Sequence, residues 1–82
     1  MDQGVLAAIR HLPAYGRSIR ERALRSESFR TLCADLAEAE RALAEWESSA
    51  LPIRKARCIE YRQLVESLEA ELRETLGRPD GI

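Results

Sequence analysis

Apolar residues recur at alternating steps of three and four through the middle of the chain. Beginning at Phe29, the series visits Leu32, Leu36, Ala39, Leu43, Trp46 and Ala50. An unbroken stripe of this kind is typical of an amphipathic helix that packs against another helix. The pattern predicts a long helix over about residues 28–48.

A second stripe with the same spacing follows a short interruption. It consists of Cys58, Tyr61, Val65, Leu68, Leu72 and Thr75. Pro52 suits the first turn of a new helix, while Gly77 and Pro79 favour a stop. The pattern predicts a second long helix over about 52–76, followed by a short tail at 78–82.

The two stripes fit each other as an antiparallel hairpin. A turn between them places Leu36 opposite Val65, and the small side chain of Ala39 opposite the bulky ring of Tyr61. Small residues facing large ones are what close packing requires. We therefore predict an all-α fold whose main unit, residues 28–77, is a coiled-coil-like helical hairpin.

The preceding residues, 1–27, predict one or two short helices. The first predicted helix has an apolar face made of Val5, Leu6, Ile9 and Leu12. Pro13 disfavours helical backbone in the residue before it, so this helix should end there. Residues 17–25 form a second candidate, with arginine–glutamate pairs four positions apart. Ser26 or Ser28 then offers an N-cap for the long helix.

The hairpin by itself leaves apolar residues partly exposed along its flanks. These are Cys33, Ala37, Ile59, Leu64 and Leu76. A chain of 82 residues builds only a thin core, so something should cover them. Either the N-terminal helices fold back, or a second copy packs on the hairpin. We expect a homodimer that forms a helical bundle, with the N-terminal segment contributing.

Charge and hydropathy limit the cellular locations and the kinds of partner that we expect for this protein. The net charge is −1, so no overall field attracts nucleic acid or anionic lipid. The longest apolar run, residues 5–9, is too short for a signal core or a membrane span. Two cysteines without metal-ligand spacing suit a reducing compartment. We expect a cytoplasmic protein that does not bind membranes.

One concentration of positive charge lies near the start of the chain. Six arginines fall within residues 1–30, and Arg17, Arg20, Arg22 and Arg25 form its centre. They could meet an acidic protein or the phosphates of a nucleic acid. Together with Trp46, which lies near the turn, these four arginines are the candidate partner surface.

No arrangement of residues predicts catalysis, a cofactor or a metal ion. His11 is the single histidine, and we expect it to be solvated or to interact with a helix dipole. Bundle metal sites use Glu-x-x-His, which is absent, so the many carboxylates indicate solvated helix faces. In the hairpin register Cys33 and Cys58 lie roughly 15 Å apart along the axis, too far for a disulfide.

These features favour a non-enzymatic protein–protein interaction or adaptor module with an unidentified protein partner. The alternative is a nucleic-acid-associated protein that uses its N-terminal arginines. The repeat from Phe29 to Trp46, the Ser/Pro turn and the stripe from Tyr61 to Leu72 resemble small bacterial helical-hairpin proteins. That resemblance, which extends to hairpin dimers that bind RNA or act as adaptors, concerns architecture and gives no residue a role.

Overall fold

The computed structural model describes residues 2–78, and all of their regular structure is helical. The helices are α1 (Gln3–His11), a 3₁₀ turn (Pro13–Tyr15), α2 (Gly16–Arg25), α3 (Glu27–Glu47) and α4 (Arg54–Leu76). The prediction of an all-α chain is confirmed for this part of the sequence. Apart from Arg78, the predicted tail lies outside the described residues.

Local sequence explains where the helices begin. The carboxylate of Asp2 caps α1 by accepting a hydrogen bond from the backbone N–H of Val5 at 2.8 Å. The hydroxyl of Ser26 caps α3 by accepting from the N–H of Phe29 at 3.1 Å. Of the two serines that the sequence offered as caps, Ser26 is therefore the one used.

The long helices α3 and α4 pack against each other. Leu36 of α3 and Leu72 of α4 are fully buried. Near the six residues that join the helices, the Arg54 guanidinium donates to the Glu47 carbonyl at 3.0 Å, and Arg62 pairs with the Glu47 carboxylate at 3.2 Å. The end of α3 thus lies beside the start of α4.

Helix α1 packs closely on α3 through its small residues. A Cβ added to Gly4 would lie 2.7 Å from the backbone nitrogen of Ala34, and Ala7 and Ala8 are fully buried. This contact corrects the expectation that Cys33 lies on a partly exposed flank. The thiol is completely buried because α1 covers that side of α3.

The N-terminal segment therefore folds back over one side of the α3–α4 pair. The opposite flank stays open at Leu64, which is 43% exposed. The described residues extend 47 × 22 × 21 Å, because the far ends of α3 and α4 project beyond the shorter helices.

Replacing Gly4 by alanine should destabilise the fold. The added methyl group would overlap backbone atoms of α3, which cannot rotate away, so we expect a loss of about 1–3 kcal/mol in the free energy of unfolding. Gly77→Ala is the matched control, because its neighbours lie at ordinary distances of 3.5 and 3.6 Å. Urea denaturation followed by circular dichroism measures both, and an equal loss would contradict the close approach of α1.

Replacing a large buried residue of α3 should lower the free energy of unfolding more than Gly4→Ala does. Leu36→Ala leaves a cavity in the core, and we expect a loss of about 2–5 kcal/mol. Glu45→Ala, an exposed position on the same helix, should stay within about 0.5 kcal/mol. Equal losses in the same denaturation experiment would mean that Leu36 is not at the core.

Candidate functional site

Two features of the folded chain are candidates for function. The first, which we call the His11 cluster, joins three helices around the last residue of α1. His11 Nε2 lies 2.5 Å from Oε2 of Glu40 on α3, and Nδ1 lies 2.8 Å from Oε2 of Glu69 on α4. The imidazole thus bridges two carboxylates that belong to different helices.

Two arginines complete the His11 cluster. Arg10 lies 3.3 Å from the second carboxylate oxygen of Glu40, and Arg73 lies 2.9 Å from the second oxygen of Glu69. Each carboxylate therefore has a cationic or N–H partner on both oxygens. The cluster is partly shielded, because the side chains of His11, Glu40 and Glu69 are only 20%, 29% and 26% exposed.

The geometry favours a doubly protonated imidazole. A neutral imidazole carries one N–H, so it can donate to only one of the two carboxylates. Partial burial by itself lowers the pKa of His11, but the hydrogen bonds and charges of Glu69 and Glu40 outweigh it. The pKa is therefore raised above its ordinary value of 6.5. The hydrogen bond from His11, assisted by Arg73, lowers the pKa of Glu69 despite some burial.

This site was not predicted from the sequence. We expected His11 to be solvated or to meet only a helix dipole, whereas both of its ring nitrogens contact carboxylates. Its partners lie 29 and 58 positions away, so no local spacing could reveal them. With both nitrogens engaged, the ring has no lone pair available to act as a base, and the contacts hold helices together.

The two cysteine side chains lie in buried positions. Burial raises the pKa of the Cys33 thiol to about 11, which keeps it protonated and unreactive. Cys58 is also free and buried. Among residues 2–78, no group of three or more His, Cys, Asp or Glu side chains is placed to hold a metal ion.

The second candidate is a shallow groove of about 370 Å³ between α3 and α4. Its lining is Asp35, Glu38, Ala39, Ala42, Tyr61, Leu64 and Leu68. Helical geometry places Asp35 and Ala42 on the side of α3 opposite Cys33, the residue that α1 covers. The groove therefore lies on the open side of the α3–α4 pair, with an apolar floor and two carboxylates along its α3 edge.

The structure does not bring the predicted partner residues together. Arg17, Arg20, Arg22 and Arg25 all lie on α2, which contacts the first turns of α3. Trp46 is in the last turn of α3 and is half-buried beside Glu45 and Ser49. Trp46 therefore lies roughly 30 Å along α3 from Arg25, the last residue of α2.

Several of the N-terminal arginines have structural roles. Arg22 donates to the carbonyls of Thr75 and Arg78 at 3.0 and 3.1 Å, and so caps the C-terminus of α4. Arg30 donates to the carbonyl of Ala23 near the end of α2. Positive charge is favourable at these positions, where helix carbonyls lack partners. Some of the arginines that are concentrated in the N-terminal sequence therefore stabilise helix ends within the fold.

Comparisons with known proteins give no assignment: no family model, curated protein or solved structure matches the chain. Within residues 2–78, no helix combines the length and apolar character needed to cross a membrane.

Replacing His11 by glutamine should change how stability depends on pH. The pKa of His11 is raised on folding, so its stabilisation is complete below pH 6.5 and is lost as pH rises through the raised pKa. Wild-type protein should therefore lose free energy of unfolding across this window, whereas His11→Gln should not. Urea denaturation at several pH values tests this, and parallel curves for the two proteins would contradict it.

Proposed function

We propose that this protein is a non-enzymatic interaction module, in which α3 and α4 form an antiparallel helical hairpin that presents the groove to a partner. The observation that supports this most strongly is the open apolar floor, where Leu64 is 43% exposed on the side away from α1. Large apolar side chains grouped on one face commonly mark contact surfaces. The buried free thiols also fit a cytoplasmic location, which is part of the proposal.

The lining of the groove defines the chemistry of its occupant. Apolar side chains form the floor, Asp35 and Glu38 line one edge, and no basic residue is part of the lining. An amphipathic helix with a leucine or alanine stripe and flanking arginines would bury its apolar face there. Its arginines would meet the two carboxylates, which gives the contact a direction and a charge preference.

A second copy of the chain offers an exposed leucine flanked by arginines on α2, and we propose this face of α2 as the occupant. Leu24 on α2 is 84% exposed, the highest value of any large apolar residue described. Arg17 and Arg20, both exposed, lie on the same face of α2. The α2 face of one copy would enter the groove of the next. Such a contact joins two different surfaces of the chain and is therefore heterologous. A dimer is the smallest assembly that it can form.

Binding of nucleic acid is the alternative that exposed Arg17 and Arg20 support. It predicts binding that weakens steeply with salt, because phosphate contacts release counterions. The structural roles of Arg22 and Arg30 leave fewer arginines for this purpose, so we favour self-association. Titration of mixed DNA and RNA at two salt concentrations separates the alternatives.

Reversing charges on the two proposed surfaces should disrupt and then restore self-association. We expect the light-scattering mass of wild-type protein to rise above one chain with concentration. Arg20→Glu or Asp35→Arg alone should lower that mass, because each places like charges across the contact. The double variant should recover it, because the ion pair is re-formed with opposite polarity.

Lys55→Glu is the matched control for Arg20→Glu, since it makes the same charge change at an exposed site near the start of α4. It should leave the mass unchanged. A mass of one chain at every concentration would refute self-association. Association that survives both single reversals would show that another surface is responsible.

A further inference from the structure

The His11 cluster joins α1 to both long helices and plays no part in the proposed groove contact. We propose that the proton on His11 keeps α1 closed on α3 and α4, and that its loss opens α1 and uncovers Cys33. The inference goes beyond the proposed function and does not depend on it, because the groove lies on the other side of α3.

The contact distances explain why one proton has this effect. With both ring nitrogens protonated, each N–H donates to a carboxylate, at 2.5 Å to Glu40 and 2.8 Å to Glu69. When one proton leaves, a nitrogen lone pair faces a carboxylate oxygen at hydrogen-bond distance. Two acceptors then repel each other, and one helix-to-helix link becomes unfavourable.

The charged groups around His11 single it out as the group that titrates near neutral pH. Glu40 faces it from α3 and Glu69 from α4, while Arg10 and Arg73 contact the outer oxygens of these carboxylates. Arg41 lies on the same side of α3, beside Arg10. Arginines stay charged and carboxylates stay ionised across this range, so imidazole is the group whose charge changes.

Opening of α1 need not disrupt the α3–α4 pair. To the core, the α1 segment contributes three large apolar side chains, Val5, Ile9 and Leu12, besides the close approach of Gly4. The helices α3 and α4 contribute more large apolar side chains to the core, including Leu36 and Leu72, which are fully buried. Regions with few large apolar contacts open at lower free energy than the core.

The two cysteines report separately on these events. Cys33 is fully buried next to Gly4, under α1. Cys58 is buried on α4, roughly 16 Å from Glu69 toward the turn, where α1 does not reach. Opening of α1 should expose only Cys33, whereas unfolding of the whole chain should expose both thiols.

Pulse labelling with iodoacetamide, followed by peptide mass spectrometry, measures each thiol. The protection of each thiol is its labelling rate in the urea-unfolded chain divided by its labelling rate in the folded protein at the same pH. This ratio cancels the pH dependence of thiol reactivity. From about pH 6 to about pH 9, we expect the protection of Cys33 to fall tenfold for each unit by which folding raises the pKa of His11, while Cys58 stays protected.

Variants make the test specific. His11→Gln should give weak protection of Cys33 that does not change with pH. If that variant fails to fold, Glu69→Gln serves instead, because loss of one carboxylate should move the fall in protection to lower pH. Glu66→Gln, an exposed change on the same helix, should keep the wild-type profile.

Two results would overturn the proposal. One is a Cys33 protection that is the same in wild-type protein and His11→Gln at every pH. The other is a parallel loss of protection at Cys33 and Cys58, which would indicate global unfolding. Neither result would bear on the groove, whose test is the light-scattering mass.

Discussion

The close approach of α1 to α3 at Gly4 is the constraint on which the other features depend. Only a residue without a Cβ fits there, since that atom would lie 2.7 Å from the Ala34 nitrogen. The two helices run in the same direction, so contact at Gly4 and Ala34 brings His11 level with Glu40. The burial of Cys33, the His11 cluster and the side on which the groove stays open all follow from this docking.

The long helices could be predicted because their pattern is made by large residues. Leu36, Val65 and Leu72 repeat at helical spacing, and all three are buried. The packing of α1 could not be predicted in the same way. Its apolar face was assigned from large residues, yet Leu6 is 41% exposed, whereas Ala8 is fully buried. Hydrophobic periodicity gives little weight to glycine and alanine, although they permit the closest helix contacts.

The candidate sites were harder to predict, because each depends on contacts between distant parts of the chain. His11 has no acidic neighbour in the sequence, and only the fold places it between Glu40 and Glu69. The arginines looked like one basic surface, but Arg22 and Arg30 cap helix ends formed by other segments. A local sequence signal indicated the cap at Ser26, where donor and acceptor are three positions apart.

An interaction module of this kind would keep its two sides distinct. On one side, ionic contacts, small residues and the buried side chains of Val5 and Leu12 hold α1 in place. On the other, the groove combines Leu64 and Tyr61 with the carboxylates of Asp35 and Glu38. Helical geometry separates the two sides on α3, so a partner could enter the groove while α1 remains closed.

The most direct test of the docking of α1 is a nuclear magnetic resonance titration of the single histidine. Because the chain contains one His, its ring signals can be assigned without ambiguity. The structure predicts a midpoint above 6.5, both ring nitrogens protonated below that midpoint, and contacts from the ring to the side chains of Glu40 and Glu69. A midpoint at or below 6.5, without those contacts, would show that α1 does not lie across α3 and α4.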